Sequence, residues 1–149
     1  MTKLSNQVAG LANRQQNIAA QYQADADKLN AQSGNIQTRA ERLQARADAQ
    51  AGKSEGVSQQ SADLFEWGNQ VGGLAGQAMM DKSQDMAEVA ANMMGRSQAN
   101  AGRSAELGAV ADDKSSEAGQ AQTKANLHSA RAERLHRVSE GLLAQGLKV

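Results

Sequence analysis

Few side chains in this sequence could carry out catalysis or bind a metal ion. The chain has two histidines and no cysteine. His128 and His136 stand eight residues apart, whereas a zinc site on a helix uses histidines four residues apart on one face. Two histidines on one segment also give no basis for a Ser-His-Asp catalytic set. We therefore expect that the protein is not an enzyme and that it binds neither a metal ion nor a cofactor.

A glycine cluster at the middle of the chain is the next candidate, because glycine-rich loops can hold phosphate groups. Residues 71–76 have the sequence VGGLAG. A phosphate-binding loop follows a strand and contains a lysine, and both features are missing here. Glycine also permits the positive φ that ends a helix and reverses the chain. We predict that VGGLAG is the tip of a helical hairpin, and the alternative is one unbroken helix.

Two short basic segments could bind an anionic partner: ERLQAR at residues 41–46 and RAERLHR at 131–137. Arg39, Arg46 and Lys53 form a stripe that extends the first segment at intervals of seven residues. Neither segment contains an aromatic residue for base stacking, and sixteen Lys and Arg residues are balanced by sixteen Asp and Glu residues. A stripe of this kind is usually a solvated helix face, so nucleic acid is not an expected partner.

The overall composition argues against a compact core. The chain contains one Trp, one Tyr and one Phe, no Pro, and 14 Gly, and it is rich in Ala and Ser. Compact domains build their cores from large apolar side chains, which are scarce here. The apolar residues that are present must therefore lie along a line, as they do in long helices.

A repeat of seven residues runs through both halves of the chain. Every seventh residue from Ser5 to Ala75, and again from Gly76 to Gly146, is Ala, Ser or Gly. We call these two series the small columns. The frame shifts by one residue where the first column ends and the second begins, within the glycine cluster.

Mostly apolar residues follow each small-column residue at the third position. These two series, which we call the large columns, begin at Val8 and at Met79. A 3.5-residue period sustained over many turns predicts supercoiled helices. The sequence thus predicts an all-α fold: an antiparallel two-helix coiled-coil hairpin, with a first helix at 1–70, a tip at 71–78 and a second helix at 79–149.

The alignment of the two helices is predicted from their columns. If each small column faces the large column of the other helix, paired residue numbers add up to 147, which places Leu43 opposite Ser104 and the bend between Gly73 and Leu74. A sum of 154 preserves the same facing. In either register Gln50 and Asn100 lie in neighbouring layers, where each can satisfy the polar group of the other.

A single hairpin of this kind is expected to be only marginally stable. Ordering a residue costs roughly 1.5 kcal/mol, and columns of Ala, Ser and Gly recover little transfer free energy. We therefore predict that the hairpin oligomerises into a larger helical assembly.

Two clusters of surplus large residues are candidate oligomer interfaces, although both could simply close the ends of a thin bundle. The open-end cluster is Leu4, Leu11, Ile18, Leu142, Leu143 and Leu147. The tip cluster is Phe65, Trp67, Leu74, Met79, Met80 and Met94.

The favoured function is a non-enzymatic structural subunit that self-assembles into a rod, tube or filament. In composition the chain resembles helical subunits of bacterial secretion filaments and Ala/Gln-rich internal virion proteins of tailed phages, which implies partners in a secretion apparatus or virion. One alternative is a membrane-active delivery or ejection component that acts through its Gly/Met-rich tip, and another is a helical adaptor or chaperone.

The N-terminal segment lacks the apolar core of a secretory signal peptide. The longest weakly polar stretch, VGGLAGQAMM, is too short to span a bilayer as a helix. We therefore expect a chain that is soluble as made, and that is either exported by a non-classical route or packaged in a virion.

Overall fold

Two long α-helices account for almost the whole chain. The computed structural model describes the backbone of residues 2–147 and the side chains of residues 3–146. Helix α1 spans Thr2–Val71 and helix α2 spans Gly73–Leu147. Alanine has the highest helix propensity of any residue, and a chain without proline contains no residue that must interrupt a helix. The two helices pack against each other as a hairpin, which confirms the predicted fold class at that level.

The reversal of the chain takes place at two adjacent glycines, Gly72 and Gly73. Gly72 separates the helices, and both Gly72 and Gly73 have positive φ, at 67° and 63°. The amide of Gly72 donates to the carbonyl of Gly68 at 3.1 Å, and the amide of Gly76 donates to the carbonyl of Gly72 at 3.1 Å. The bend therefore lies inside VGGLAG, but it is shorter than the predicted tip at 71–78, since residues 73–78 belong to α2.

Glycine is required beside the bend because the two backbones touch there. A Cβ added to Gly68 would lie 2.7 Å from the carbonyl oxygen of Gly76, and a Cβ added to Gly76 would collide with the carbonyl oxygen of Gly68. Neither backbone oxygen can move away without distorting its helix. The pair Gly68 and Gly76 therefore allows the helices to meet immediately on either side of Gly72.

Serine hydroxyls show how the helices are aligned. Ser104 Oγ donates to the carbonyl oxygen of Ala40 at 2.7 Å, and Ser97 Oγ donates to that of Ala47 at 2.7 Å. The residue numbers in each pair add up to 144. The predicted register, which placed Leu43 opposite Ser104, is therefore wrong by three residues, and the alternative sum of 154 is wrong as well.

The same alignment recurs along the hairpin. The other serine-linked pairs are Ser5 with Ser139, Ser33 with Ala111, Ser54 with Ala90, and Ser61 with Ser83. Each small column thus faces the other small column, and not a large column. A serine hydroxyl extends only one bond beyond Cβ, so it reaches a carbonyl of the opposite helix only when both facing side chains are small. Each such bond contributes about 0.5–1.5 kcal/mol, which a large residue in the seam would forfeit.

Contacts divide the hairpin into two compact units. The open-end unit comprises Met1–Asn35 with Val110–Val149, and the tip unit comprises Ile36–Ala109. In each unit the small columns are mostly buried, whereas the large columns are mostly half-buried. The largest side chain with less than 2% exposure is a serine, Ser5. Among the described residues, every buried side-chain nitrogen and oxygen has a hydrogen-bond partner.

Candidate association surfaces

The large columns lie on one side of the seam, which we call the front face. In the open-end unit, His128 Nδ1 lies 2.6 Å from Gln15 Oε1, and the rings of His128 and Tyr22 stack with centroids 5.5 Å apart. In the tip unit, Asn100 Nδ2 donates to Gln50 Oε1 at 2.9 Å. This last bond confirms the predicted pairing of the two amide side chains.

The residues immediately before the small columns also belong to the front face. At 100° per residue, the position before a small-column residue lies 40° from the large-column position on the same helix. Lys124 precedes a small-column residue, and its Nζ lies 5.6 Å from the ring centroid of Tyr22, a large-column residue. The front face is thus made of the large columns of both helices and the positions that precede their small columns.

The opposite side of the seam, which we call the back face, carries the fourth and first positions after each small-column residue. Gln23 and Gln122 both occupy the fourth position, and Gln122 Nε2 donates to Gln23 Oε1 at 2.7 Å. Gln23 also donates to Asp27, at the first position, with a distance of 3.1 Å. In the sequence, the fourth position carries no charged residue at any heptad from Ala9 to Leu143.

The open-end candidates are divided between these two faces. Leu4 and Leu11 are about half exposed on the front, where Ile18 and Leu142 are partly buried. Leu143 occupies a back-face position. The side chain of the remaining candidate, Leu147, is outside the described part of the structure.

Val138 belongs to the same front surface, although the sequence analysis did not single it out. It immediately precedes Ser139, as Leu4 precedes Ser5, and it is 52% exposed. Since Ser5 and Ser139 are directly opposed, Leu4 and Val138 flank the same layer. The signal was present in the sequence as a valine at the position before the small column, but its pairing with Leu4 depended on the register. We call Leu4, Leu11, Ile18, Val138 and Leu142 the open-end apolar patch.

The tip candidates do not form one cluster either. Trp67 and Met79 occupy front-face positions, and Trp67 lines a shallow groove with Gln60, Asp63 and Leu64. On the back face, by contrast, Met94 borders a groove that includes Ser58 and Ala87.

The other tip candidates lie at or near the bend. Phe65 and Met80 take back-face positions, and Met80 Cγ would lie 2.8 Å from a Cβ added to Gly68. Leu74, two residues after Gly72, is 92% exposed. The tip therefore presents separate apolar surfaces on its front, its back and its end.

Within the described residues, neither histidine belongs to a cluster of potential metal ligands. His128 is held by Gln15 and Tyr22, while His136 occupies an exposed back-face position. Among the described residues, no group of three His, Cys, Asp or Glu side chains is arranged to hold a metal ion. Within the same residues, neither helix has a stretch long and apolar enough to cross a membrane.

Comparison with protein-family models, with curated proteins and with solved structures gives no match. We therefore infer the function from the geometry and chemistry of the chain itself. The features available for that inference are the small-residue seam, the apolar surfaces at both ends, and the distribution of charge over the front and back faces.

Proposed function

We propose that this protein is a non-enzymatic structural subunit that associates with copies of itself. The observation that carries the proposal is the exposure of its large apolar side chains. The hairpin buries Ala, Ser and Gly in its seam, and it leaves Leu4, Leu11, Trp67 and Leu74 between about half and almost fully exposed.

This distribution is unusual for a chain that functions as a monomer. Soluble monomers rarely keep contiguous apolar patches on their surface, and such patches commonly mark contacts with other molecules. The open-end apolar patch brings together side chains from both helices. A second hairpin that covered this patch would add the burial of large side chains that the seam lacks.

Self-association would also supply stability. Fully burying a leucine or isoleucine side chain contributes about 1.5–3 kcal/mol, and no layer of the seam described above contains one. Folding coupled to association becomes more favourable as protein concentration rises. Repeated association through complementary surfaces would build a rod, tube or filament. Such an assembly could be part of a secretion filament or a virion.

The proposal is tested by sedimentation and solution scattering over a concentration series. We expect the mass, the helicity and the melting temperature to rise with concentration. Replacing Leu4 and Leu11 with serine should weaken association more than it lowers helicity. The control is Leu127→Ser, because Leu127 is 50% exposed at a position outside both faces. A monomer whose melting does not depend on concentration would contradict the proposal and favour an adaptor.

A second candidate, a membrane-active delivery component, is favoured by the apolar tip. Trp67 is 65% exposed and Val71 is 56% exposed, next to the almost fully exposed Leu74. Tryptophan side chains favour the membrane interface. Because the chain has one Trp, a blue shift of its fluorescence on mixing with phosphatidylcholine vesicles would report insertion. Leu74→Ser should abolish that shift. An unchanged wild-type spectrum would exclude this candidate.

A further inference from the structure

All the charged residues on the front face of the tip unit are basic. Six Lys and Arg residues occupy the positions before the small columns between residues 36 and 109, and these positions contain no Asp or Glu. They are Arg39, Arg46, Lys53, Lys82, Arg96 and Arg103. Only the first three were singled out from the sequence. The hairpin adds three from the other helix to the same face.

Among the described residues, none of these six cations forms a salt bridge with a carboxylate. In the described part of the structure, the salt bridges join Lys114 to Glu117 and Arg137 to Glu133, all of them outside the tip unit. The register moreover sets like charges side by side. Arg39 and Arg103 flank the layer formed by Ala40 and Ser104. Like charges gathered on one face favour an anionic partner that would neutralise them.

The back face of the same unit carries the opposite charge. Glu41, Asp48 and Glu55 stand at the first position after the small column of α1, and neither helix has a Lys or Arg at that position. Gln44 Nε2 donates to Asp48 Oδ1 at 3.0 Å, and Gln37 Nε2 donates to Glu41 Oε1 at 3.5 Å. The donors of these hydrogen bonds are uncharged glutamines of the back face, so the bonds bring no cation to the acidic row formed by Glu41, Asp48 and Glu55.

The two rows match in spacing. Arg39, Arg46 and Lys53 recur every seven residues, as do Glu41, Asp48 and Glu55. Seven residues of helix rise about 10.5 Å, so three cations on one copy can face three carboxylates on another in the same register. Arginine forms particularly strong, bidentate ion pairs with carboxylates.

We propose that the basic front face of one tip unit binds the acidic back face of the tip unit in the next copy. Such a contact joins two different surfaces, so it leaves a basic front and an acidic back free at the ends and can continue without closing. This interface rests on the proposed function, and it adds the specific surfaces and the polarity of stacking.

Nucleic acid is the other polyanion that a basic face could bind, and the structure favours it less. Between Arg39 and Lys53 the front face has no aromatic side chain on which a base could stack, and Trp67, the one aromatic residue in this series of positions, lies beyond them. The tip unit as a whole has seven Lys and Arg residues and nine Asp and Glu residues, so it is weakly acidic. A second copy, in contrast, offers carboxylates at the matching interval.

Two charge-reversed variants of the full chain test this interface. The front variant carries Arg39→Glu, Arg46→Glu and Lys53→Glu. The back variant carries Glu41→Lys, Asp48→Lys and Glu55→Lys. In each variant alone, the row of charged residues on the front of α1 and the row on its back carry the same charge, so we expect its association constant to fall roughly ten-fold or more by sedimentation at 0.1 M salt. An equimolar mixture should recover assemblies of wild-type size, because each face again meets its opposite.

A matched control separates this effect from net charge and from misfolding. Arg14→Glu, Lys28→Glu and Arg134→Glu change the net charge as much as the front variant does, but at exposed positions outside both faces. This control should assemble like the wild type. The front variant should retain wild-type helicity, measured by circular dichroism, since it places no new acid three or four residues from another.

The outcomes distinguish this interface from the proposed function. If the wild type assembles and the front variant assembles equally well, the front-to-back contact is wrong while self-association stands. If the mixture does not recover assembly, the contact is also wrong. If the wild type stays monomeric and its front face binds duplex DNA, with binding lost in the front variant, both proposals are wrong.

Discussion

Replacing Ala40 with leucine tests the close approach of the two helices in the tip unit. Ala40 is 4% exposed, and its carbonyl oxygen accepts the hydroxyl of Ser104 at 2.7 Å. A leucine side chain at this position adds three carbon atoms between two backbones that are held together by that bond. The helices must separate locally, and the hydroxyl then loses its acceptor.

The expected cost follows from these two effects. Inserting extra carbon atoms into a well-packed core costs about 1–3 kcal/mol, and the lost hydrogen bond costs about 0.5–1.5 kcal/mol. Together they lower the free energy of unfolding by about 1.5–4.5 kcal/mol. Because the seam has neighbouring layers on both sides that also contain serine, the upper part of this range applies if the separation spreads beyond one layer.

Urea unfolding, followed by circular dichroism at one fixed protein concentration, measures this loss. The matched control is Ala45→Leu, the same substitution at an exposed position. It should change the free energy of unfolding by less than about 0.5 kcal/mol, because Ala and Leu are both strong helix formers. If Ala40→Leu and Ala45→Leu unfold at the same urea concentration, the close-packed seam is incorrect.

Three further substitutions test the bend, the register and the polar layer. Gly76→Ala should destabilise the hairpin, because the new Cβ would meet a backbone carbonyl across the bend. Gly95→Ala should instead stabilise α2 by about 0.5–1 kcal/mol, because nothing lies within 4 Å of its Cβ. Equal effects of the two substitutions in urea unfolding would contradict this expectation. Ser61→Cys with Ser83→Cys, whose hydroxyl oxygens lie 3.5 Å apart, should form an intrachain disulfide on mild oxidation, seen as a mobility shift on a non-reducing gel. Its absence would argue against the register. Asn100→Ala should lower the free energy of unfolding by about 0.5–1.5 kcal/mol, because it removes the 2.9 Å hydrogen bond to Gln50. A double-mutant cycle with Gln50→Ala should show a coupling energy between the two residues, and its absence would mean that this bond does not form.

The helices, the seam positions and the site of the bend were predictable from the sequence. The seven-residue spacing of Ala, Ser and Gly depends only on the periodicity of the α-helix, and the same residues, such as Ala12 and Ala132, are buried in the structure. Glycine is the residue that tolerates positive φ, so residues 71–76 were the natural place for a reversal. The pairing of Gln50 with Asn100 was predictable too, because a polar pair inside a seam needs a partner.

The register could not be derived from periodicity. An alignment in which paired residue numbers add up to 144 and one in which they add up to 147 both bring the heptad positions of the two helices into contact. The two alignments differ only in whether small residues face small or large ones. The hydroxyl bonds between the helices and the glycine contact at Gly68 and Gly76 favour the first. Gly68 and Gly76 are eight positions apart, and their midpoint is Gly72, the residue that separates the two helices.

The tertiary structure alone decided which columns share a surface. Along one helix, Arg39 and Arg46 form an ordinary stripe of charge, and Leu4 is one apolar residue among several. Antiparallel pairing in the 144 register places Arg103 beside Arg39, and Val138 beside Leu4, by flanking the layers that the serine bonds define. A local pattern fixes the direction of a side chain around its own helix axis, but the neighbours that a surface acquires from the other helix depend on long-range packing.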